Sequence, residues 1–325
     1  MRRFTPSGHS QTTHPLSPCE NPMPLLKRRP EAVYDESLTY FTTTQAGEFR
    51  RLVARSFAAV GRDVDVYADR IEDRGGTTIG LWNIGALCAG AAAEEWPQLI
   101  DDHVRLVATP ARALADVGDD ELIAGLCLRL VDIGAVPDPD RLAYARLVAP
   151  GLLEVLAVDL GEAVATPSRE ELGARGTLGG LIALGRDNLR RLLDGDAVRV
   201  APVGPEGRGR YTAVTGESVF TASLALILAE TMGRLTDDDD WGRGALVAVP
   251  TRHRLLYRPV DAPDARLALR HMLQAAFLEF HGPAGRLSPD VFWVRKERWV
   301  QVTSSAGGKP RVLRGTGLRE ALASV

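Results

Sequence analysis

Residues 245–257 read ALVAVPTRHRLLY, two apolar segments separated by a short polar turn. Apolar runs of this length, bounded by turn residues, are typical of β-strands. We therefore predict one strand near Ala245 to Val249 and a second near Arg254 to Tyr257. A turn this short favours antiparallel pairing of the two strands, because parallel neighbours need a long crossover connection.

Segments on both sides of this hairpin repeat the pattern. Upstream, the sequence predicts strands at Val198 to Val203 and Tyr211 to Val214, and then a helix from Ser218 to Leu235. Downstream, it predicts a helix from Ala265 to Phe280 and a terminal hairpin near Val291 to Val302. Strands joined by short turns outnumber any strand–helix–strand series. We therefore predict an α+β fold with largely antiparallel sheets packed with amphipathic helices.

The first third of the chain predicts a helix, a hairpin and a second helical stretch. Apolar residues at helical spacing indicate an amphipathic helix from Gln45 to Val60. Residues 64–82 predict a hairpin that turns at Arg74-Gly75-Gly76 and leads into a helix capped by Asn83. We expect Pro97 to kink or split that helix, because proline lacks a backbone N–H.

The middle of the chain gives weaker periodicity. Leu122 to Val131 is an apolar run compatible with a strand or a helix, and we assign it to a strand. A second hairpin is predicted to begin with Leu152 to Leu160. Ser168 and Glu171 have the spacing of a capping box for a short helix, and Leu178 to Leu193 predicts an amphipathic helix.

Three segments are predicted along the chain. The N-terminus is rich in Pro, Ser, Thr and His and lacks the apolar region of a signal peptide. We predict that residues 1–44 form a disordered extension, residues 45–136 an N-terminal α+β unit and residues 137–325 a C-terminal α+β unit. Met23 is an alternative start to Met1.

Composition and charge narrow the range of functions. The 325 residues are 45% hydrophobic and 25% charged, which is typical of a globular protein. The net charge of -3 leaves no positive excess to neutralise a nucleic-acid backbone, so we expect no general nucleic-acid binding. No segment reaches the roughly 18 to 20 apolar residues of a membrane helix, so we expect no membrane association. We predict a cytoplasmic protein in which Cys88 and Cys127 are reduced and buried.

The sequence contains no familiar catalytic, metal or cofactor motif. The histidines form no HExxH pair, the cysteines form no CxxC pair, and no serine lies in GxSxG. Gly176–Gly180 and Ser305–Lys309 depart from phosphate-binding loops and are interpreted as turns. We therefore predict no catalytic residue, no metal and no cofactor, and we interpret the acidic run Asp237–Asp240 as a solvated loop.

Basic residues near two of the predicted strands form a candidate binding site. Arg210 precedes the strand at Tyr211, and Arg252, His253 and Arg254 lie at the turn of the central hairpin. If the two strands are neighbours, the guanidinium groups could converge on a phosphate or carboxylate. The alternative is that they face solvent and pair with acidic residues. Further basic residues that could join the site are Arg208, Arg258, Arg295, Lys296 and Arg298.

Several stretches occur in a recognisable order between about Phe49 and Val302. They are Thr78–Ile84, Val155–Leu160, Ala183–Leu193, Ala245–Arg252, Leu287–Phe292 and the strand containing Trp299. In these stretches the chain resembles a family of uncharacterised bacterial cytosolic proteins, the domain-of-unknown-function group that includes YtpQ-like proteins. The resemblance implies a fold and carries no catalytic residues. His253 stands where that family has an acidic residue, so a function that depends on that carboxylate would not carry over.

Two functions of different classes stay open. We expect a non-enzymatic interaction protein that binds an unidentified protein partner, because the chain is long and has no catalytic or metal motif. The alternative is an enzyme or sensor of a small anionic ligand, with Arg210, Arg252, His253 and Arg254 lining its pocket. An immunity or chaperone-like role would instead require a large exposed apolar patch.

Overall fold

The computed structural model describes residues 33–73, 78–108, 116–136, 139–161, 164–194, 196–205, 208–236, 241–282 and 285–323. Residues from Tyr34 onward belong to one compact unit. Most of the predicted N-terminal extension, with Cys19 and Met23, lies outside the described residues, as do the turn at residues 74–77 and the acidic run at residues 237–240. Helices and antiparallel sheets make up the fold, which confirms the predicted α+β class.

The first part of the described chain is a three-stranded sheet packed with helices. α1 begins with a capping box formed by Thr42 and Gln45, and it buries Phe49, Val53 and Phe57 at four-residue spacing. These side chains share one hydrophobic core with the apolar face of α3. The elements are α1 Thr43–Ala59, β1 Val64–Val66, β2 Arg70–Asp73, β3 Thr78–Gly80, α2 Trp82–Ala89 and α3 Trp96–Ala108.

Two predictions for this part are corrected and one is confirmed. The predicted hairpin is a three-stranded antiparallel sheet, in the order β1-β2-β3. Asn83 does not cap α2, whose N-cap is Leu81, because its side-chain oxygen accepts a hydrogen bond from the backbone N–H of Gly285 at 2.8 Å. The helical stretch is split as predicted, although the break lies between Ala89 and Trp96 and precedes Pro97. Pro97 is the second residue of α3, where a missing backbone N–H costs no helical hydrogen bond.

The middle of the chain forms a four-stranded antiparallel sheet in which β6 pairs with β4, β5 and β7. The strand predicted from Leu122 is wrong for its first residues. A helix ends at Gly125. Its first turn contains three acidic residues, which stabilise it by interacting with the positive end of the helix dipole. The capping box of Ser168 and Glu171 is confirmed. The elements are α4 Asp119–Gly125, β4 Leu126–Asp132, β5 Arg146–Ala149, β6 Leu152–Asp159, β7 Val164–Ala165, α5 Arg169–Gly173 and α6 Leu178–Arg191.

The last part contains a six-stranded antiparallel sheet in the order β13-β12-β10-β11-β9-β8. Its strands are β8 Val198–Val203, β9 Tyr211–Gly216, β10 Ala245–Thr251, β11 Arg254–Pro259, β12 Val291–Arg295 and β13 Arg298–Gln301. The helix predicted from Ser218 consists of a 3-10 helix, Thr221–Ile227, followed by α7 Leu228–Thr236. The helix predicted from Ala265 to Phe280 is confirmed as α8 Ala265–Phe280. The chain continues through β14 Thr303–Ser304, β15 Arg311–Val312 and α9 Leu318–Ala323.

The two faces of the six-stranded sheet bury different cores. Leu255 and Tyr257 of β11 lie in the large core that also contains residues of β4, β6 and α6. Leu246 and Leu256 lie in the core on the other face, together with residues of α8. The sheet is therefore covered on one side by α8 and on the other by the four-stranded sheet and α6. β4 and β6 lie on either side of residue 137 in the sequence and pair with each other. The predicted division into two units at that residue stays a prediction.

A glycine in α6 allows the helix to approach β4 closely. A Cβ atom at Gly185 would lie 2.9 Å from Cδ2 of Leu156 and 3.1 Å from the backbone nitrogen of Leu128. Backbone atoms of a paired strand cannot move away cheaply, so this contact tolerates only hydrogen. Gly179 lies in the same helix, but a Cβ there would meet nothing within 4 Å.

An ion pair fixes the chain just before α1. Both terminal nitrogens of Arg50 donate to the Asp35 carboxylate at 2.9 Å, and the backbone N–H groups of Ser37 and Leu38 donate to the same carboxylate. The hydrogen bonds from Arg50, which are the largest cause, lower the pKa of Asp35 from 3.8 to about 2. Asp35 is therefore charged in the folded protein at any pH above about 2.

Gly185→Ala should destabilise the protein by about 1–3 kcal/mol, because the new methyl group overpacks the contact between α6 and β4. Gly179→Ala is the matched control, and it should be neutral or stabilising by up to about 1 kcal/mol, because alanine restricts the unfolded chain. Urea unfolding of the two variants measures both effects. Equal effects at the two positions would contradict the close approach.

Asp35→Asn should lower the free energy of unfolding near neutral pH by about 1.5–3 kcal/mol. The folded pKa lies below the unfolded one, so the contribution of Asp35 is present above about pH 4 and is lost as the pH falls towards 2. The variant should therefore show a shallower loss of stability over that range. Asp102→Asn, which changes an exposed carboxylate paired with Arg105, should have little effect in the same unfolding measurements.

Candidate functional site

The structure separates the four residues of the predicted binding site. Arg252 and His253 form the turn between β10 and β11, and Arg254 is the first residue of β11. Arg254 donates to Oγ1 of Thr215 at 2.9 Å, and its Nε lies 2.9 Å from the carboxylate of Glu279 on α8. Its charge is therefore neutralised within the fold. Arg210 is exposed in the turn before β9.

The wider set of basic residues is also dispersed. Arg258 lies four residues beyond Arg254 in β11, and it donates to the backbone oxygen of Pro263 at 2.9 Å. Arg208 is exposed. Arg295, Lys296 and Arg298 belong to the β12–β13 hairpin, at the opposite edge of the sheet from β8. Only Arg252 and His253 of the predicted set stay together.

Arg252 and His253 are joined by a hydrogen bond that fixes the state of the imidazole ring. Nε of Arg252 donates to Nε2 of His253 at 3.0 Å, so this ring nitrogen carries no proton. Burial lowers the pKa of His253, and the positive charge of Arg252 lowers it further. The ring is therefore neutral, and it orients the guanidinium group without cancelling its charge.

The backbone around Arg252 holds its side chain in a confined position. Its backbone oxygen accepts from the N–H of Ala222 at 3.0 Å, and its own N–H donates to the oxygen of Gly285 at 2.7 Å. A Cβ atom at Gly285 would lie 2.7 Å from Cγ of Arg252, and Gly285 has a φ of 87°. Both the left-handed backbone and the close contact require glycine there.

Arg129 lies close to Arg252 and was not among the predicted site residues. It is the fourth residue of β4, and its Nε is buried without a hydrogen-bond partner. Burial lowers its pKa to about 10, and the charge of Arg252 contributes to this lowering. β4 is held here because the N–H of Leu130 donates to Oγ of Ser223, the residue after Ala222. One 3-10 helix thus contacts the strand of Arg129 and the turn of Arg252.

Arg286 lies beside the same turn. It forms an isolated bridge with Thr251, and its guanidinium carbon lies 3.7 Å from the centre of the Trp82 ring. Burial lowers the pKa of Arg286, while the nearby carboxylate of Asp132 has the opposite effect. Burial also raises the pKa of Asp132. Asp132 is thus an acidic neighbour of Arg286, although the two form no ion pair within the described residues.

We call Arg129, Arg252 and Arg286 the arginine cluster. Within the described part of the chain, none of the three forms an ion pair with a carboxylate. All three residues are half-buried, and removing a charge from water without a partner is unfavourable. The charges of Arg129 and Arg252 also repel each other. Guanidinium groups offer several fixed N–H donors, so Arg129 and Arg252, whose charges interact, can bind an oxyanion through charge-assisted hydrogen bonds.

A sequence signal for Arg129 was present. It is the one charged residue in LCLRLV, residues 126–131, a run otherwise made of apolar residues and cysteine. A charge in a strand that is buried on both sides usually has a partner or a function. The pairing with Arg252 had no such signal, because it depends on contacts between distant parts of the chain.

Other kinds of site find less support. Among the described residues, no group of three His, Cys, Asp or Glu side chains could hold a metal ion. Cys88 and Cys127 are free and buried, as predicted, and burial raises the pKa of each thiol to about 11. Neither is a reactive thiolate near neutral pH. No helix among the residues described combines the length and the apolar content that spanning a bilayer requires.

Comparisons with known proteins add no family. No protein-family model, no curated protein and no solved structure matches this chain.

Arg129→Met should raise the free energy of unfolding by about 1–3 kcal/mol in a chloride buffer free of phosphate and carboxylates. Methionine fills a similar space without the cost of burying a charge. Arg210→Met removes an exposed arginine and should change stability by less than about 0.5 kcal/mol. Urea unfolding tests both variants. A destabilised Arg129→Met protein would mean that the fold already compensates the charge of Arg129.

Proposed function

We propose that this protein is a non-enzymatic binding protein for a small ligand that carries a phosphate or carboxylate group, held by the arginine cluster. The observation that carries the proposal is the guanidinium of Arg129, whose Nε is buried without a partner close to the second unpaired arginine, Arg252. An oxyanion between the two would supply the missing acceptors and remove their mutual repulsion.

The surroundings of the cluster favour a small ligand. Arg252 is held by backbone bonds on both sides and oriented by His253, and Arg286 is stacked on Trp82. Side chains fixed in this way lose little freedom when a ligand binds, so little affinity is spent on ordering them. Asp132 near Arg286 leaves two positive charges in excess, which suits a ligand with one or two negative charges.

Binding is favoured over catalysis by the state of the neighbouring titratable groups. His253 is neutral, but the lone pair on its unprotonated Nε2 accepts the hydrogen bond from Arg252. His253 is therefore not available as a general base. The enzyme alternative would have to use Asp132, the carboxylate beside Arg286, as its proton-transfer group. The two buried free cysteines support a reducing compartment, and we include a cytoplasmic location and the likeness to YtpQ-like proteins in the proposal.

Isothermal titration calorimetry of the purified protein with inorganic phosphate, sulfate and succinate tests the proposal. At least one of these anions should bind the wild-type protein, and a concentration of about 100 times its dissociation constant should raise the free energy of unfolding by about 2.7 kcal/mol. Arg129→Met and Arg252→Met should both abolish the binding heat. Arg129→Lys should retain part of the affinity, because lysine keeps the charge and loses the planar donor pair.

Arg210→Met is the matched control and should bind like the wild type, because Arg210 is exposed and belongs to the predicted set but not to the cluster. Binding that survives Arg129→Met unchanged would place the anion elsewhere. Failure of all three anions to bind the folded wild-type protein would overturn the proposal.

A further inference from the structure

A second positively charged feature involves different residues. A groove of about 1130 Å³ runs between β5, the start of α7 and the β12–β13 hairpin. We call it the basic groove. The residues that matter here are Leu147, Arg186, Arg295, Lys296, Glu297 and Arg298. None of them belongs to the arginine cluster.

The hairpin at the rim of the groove concentrates unpaired positive charge. Arg295 and Arg298 are directly opposite each other on β12 and β13, an arrangement that repels like charges. Lys296, in the turn between them, has a φ of 54°. Residues other than Gly, Asn and Asp rarely adopt this left-handed backbone conformation. The one acidic residue of the turn, Glu297, lies 3.7 Å from Arg186. The hairpin therefore presents three cations without bound carboxylates among the described residues.

Part of the groove's lining is apolar. Leu147 on β5 is 62% exposed, which is high for a large aliphatic side chain on a strand. The half-buried Trp241 and Trp299 and the buried Leu226 also line the groove. An occupant that fits this surface has negative charge to meet the hairpin and an apolar side chain to cover Leu147.

We propose that the basic groove binds an acidic peptide segment of a partner protein, with an apolar side chain seated on Leu147. Charge complementarity and the exposed leucine carry this assignment. Nucleic acid fits less well, because a sugar-phosphate backbone has no apolar side chain to cover the exposed Leu147. The proposal goes beyond anion binding and does not depend on it, since the two sites share no residue.

Fluorescence anisotropy with a labelled peptide of alternating glutamate and leucine tests the groove. The wild-type protein should bind this peptide, and affinity should fall with added salt because the charges are exposed. Lys296→Asn with Arg298→Gln removes two charges without harming the fold, since asparagine tolerates the left-handed turn. This pair should weaken binding about tenfold. Leu147→Gln should weaken it by about three- to tenfold.

Lys309→Gln with Arg311→Gln is the charge-matched control, because both residues are exposed and neither lines the groove. This control pair should bind the peptide like the wild type. Equal weakening by both pairs would show that net charge alone acts, and it would overturn the proposal. The proposal would also be overturned if the wild-type protein did not bind the glutamate peptide. It would be overturned if oligothymidylate, or a peptide of alternating lysine and leucine, bound more tightly than the glutamate peptide. Self-association of the wild-type protein that Lys296→Asn with Arg298→Gln abolishes would overturn it as well.

Discussion

The hydroxyl of Ser223 accepts a hydrogen bond from the backbone of Leu130, and the next residue back, Ala222, donates to the backbone of Arg252. These two bonds attach a strand of one sheet and a turn of the other to the same 3-10 helix. All seven residues of that helix are buried, so it is a wedge between the sheets rather than a surface connection. Arg129 and Arg252 are brought together by this wedge.

This arrangement is electrostatically unfavourable. The large core buries apolar residues from both sheets, and the junction between them receives guanidinium groups with no bound carboxylates among the described residues. A fold selected only for stability would replace Arg129 with an apolar residue, because a buried ion pair or charge rarely outperforms good packing. The same reasoning explains why Arg254 is different. It also lies beside a core, but Glu279 on α8 neutralises it, so it is a structural residue and offers no binding capacity.

Local sequence patterns were sufficient for most of the elements. The hairpin of β10 and β11, the bounds of α8 and the capping box at Ser168 follow from periodicity and from turn and cap chemistry, which act over a few residues. The boundary between α4 and β4 did not follow, because an apolar run satisfies a helix and a buried strand equally well. Asn83 contacts Gly285, and Arg129 is close to Arg252. Contacts between residues so far apart in the sequence cannot be predicted from the local spacing of residues. Of the site, the sequence predicted Arg252 and His253, which are adjacent along the chain, but not Arg129 or Arg286.

The two positively charged features differ in how water and salt act on them, and this difference separates their roles. The charges of the basic groove are exposed, so dissolved ions screen them within about 10 Å at ordinary ionic strength. The arginine cluster is partly buried, and its fields are screened much less. A ligand of the cluster should therefore keep its affinity at salt concentrations that weaken a partner in the groove. Since the chain has a net charge of -3, neither feature reflects a general excess of basic residues. Each is a local concentration of cations placed by the fold.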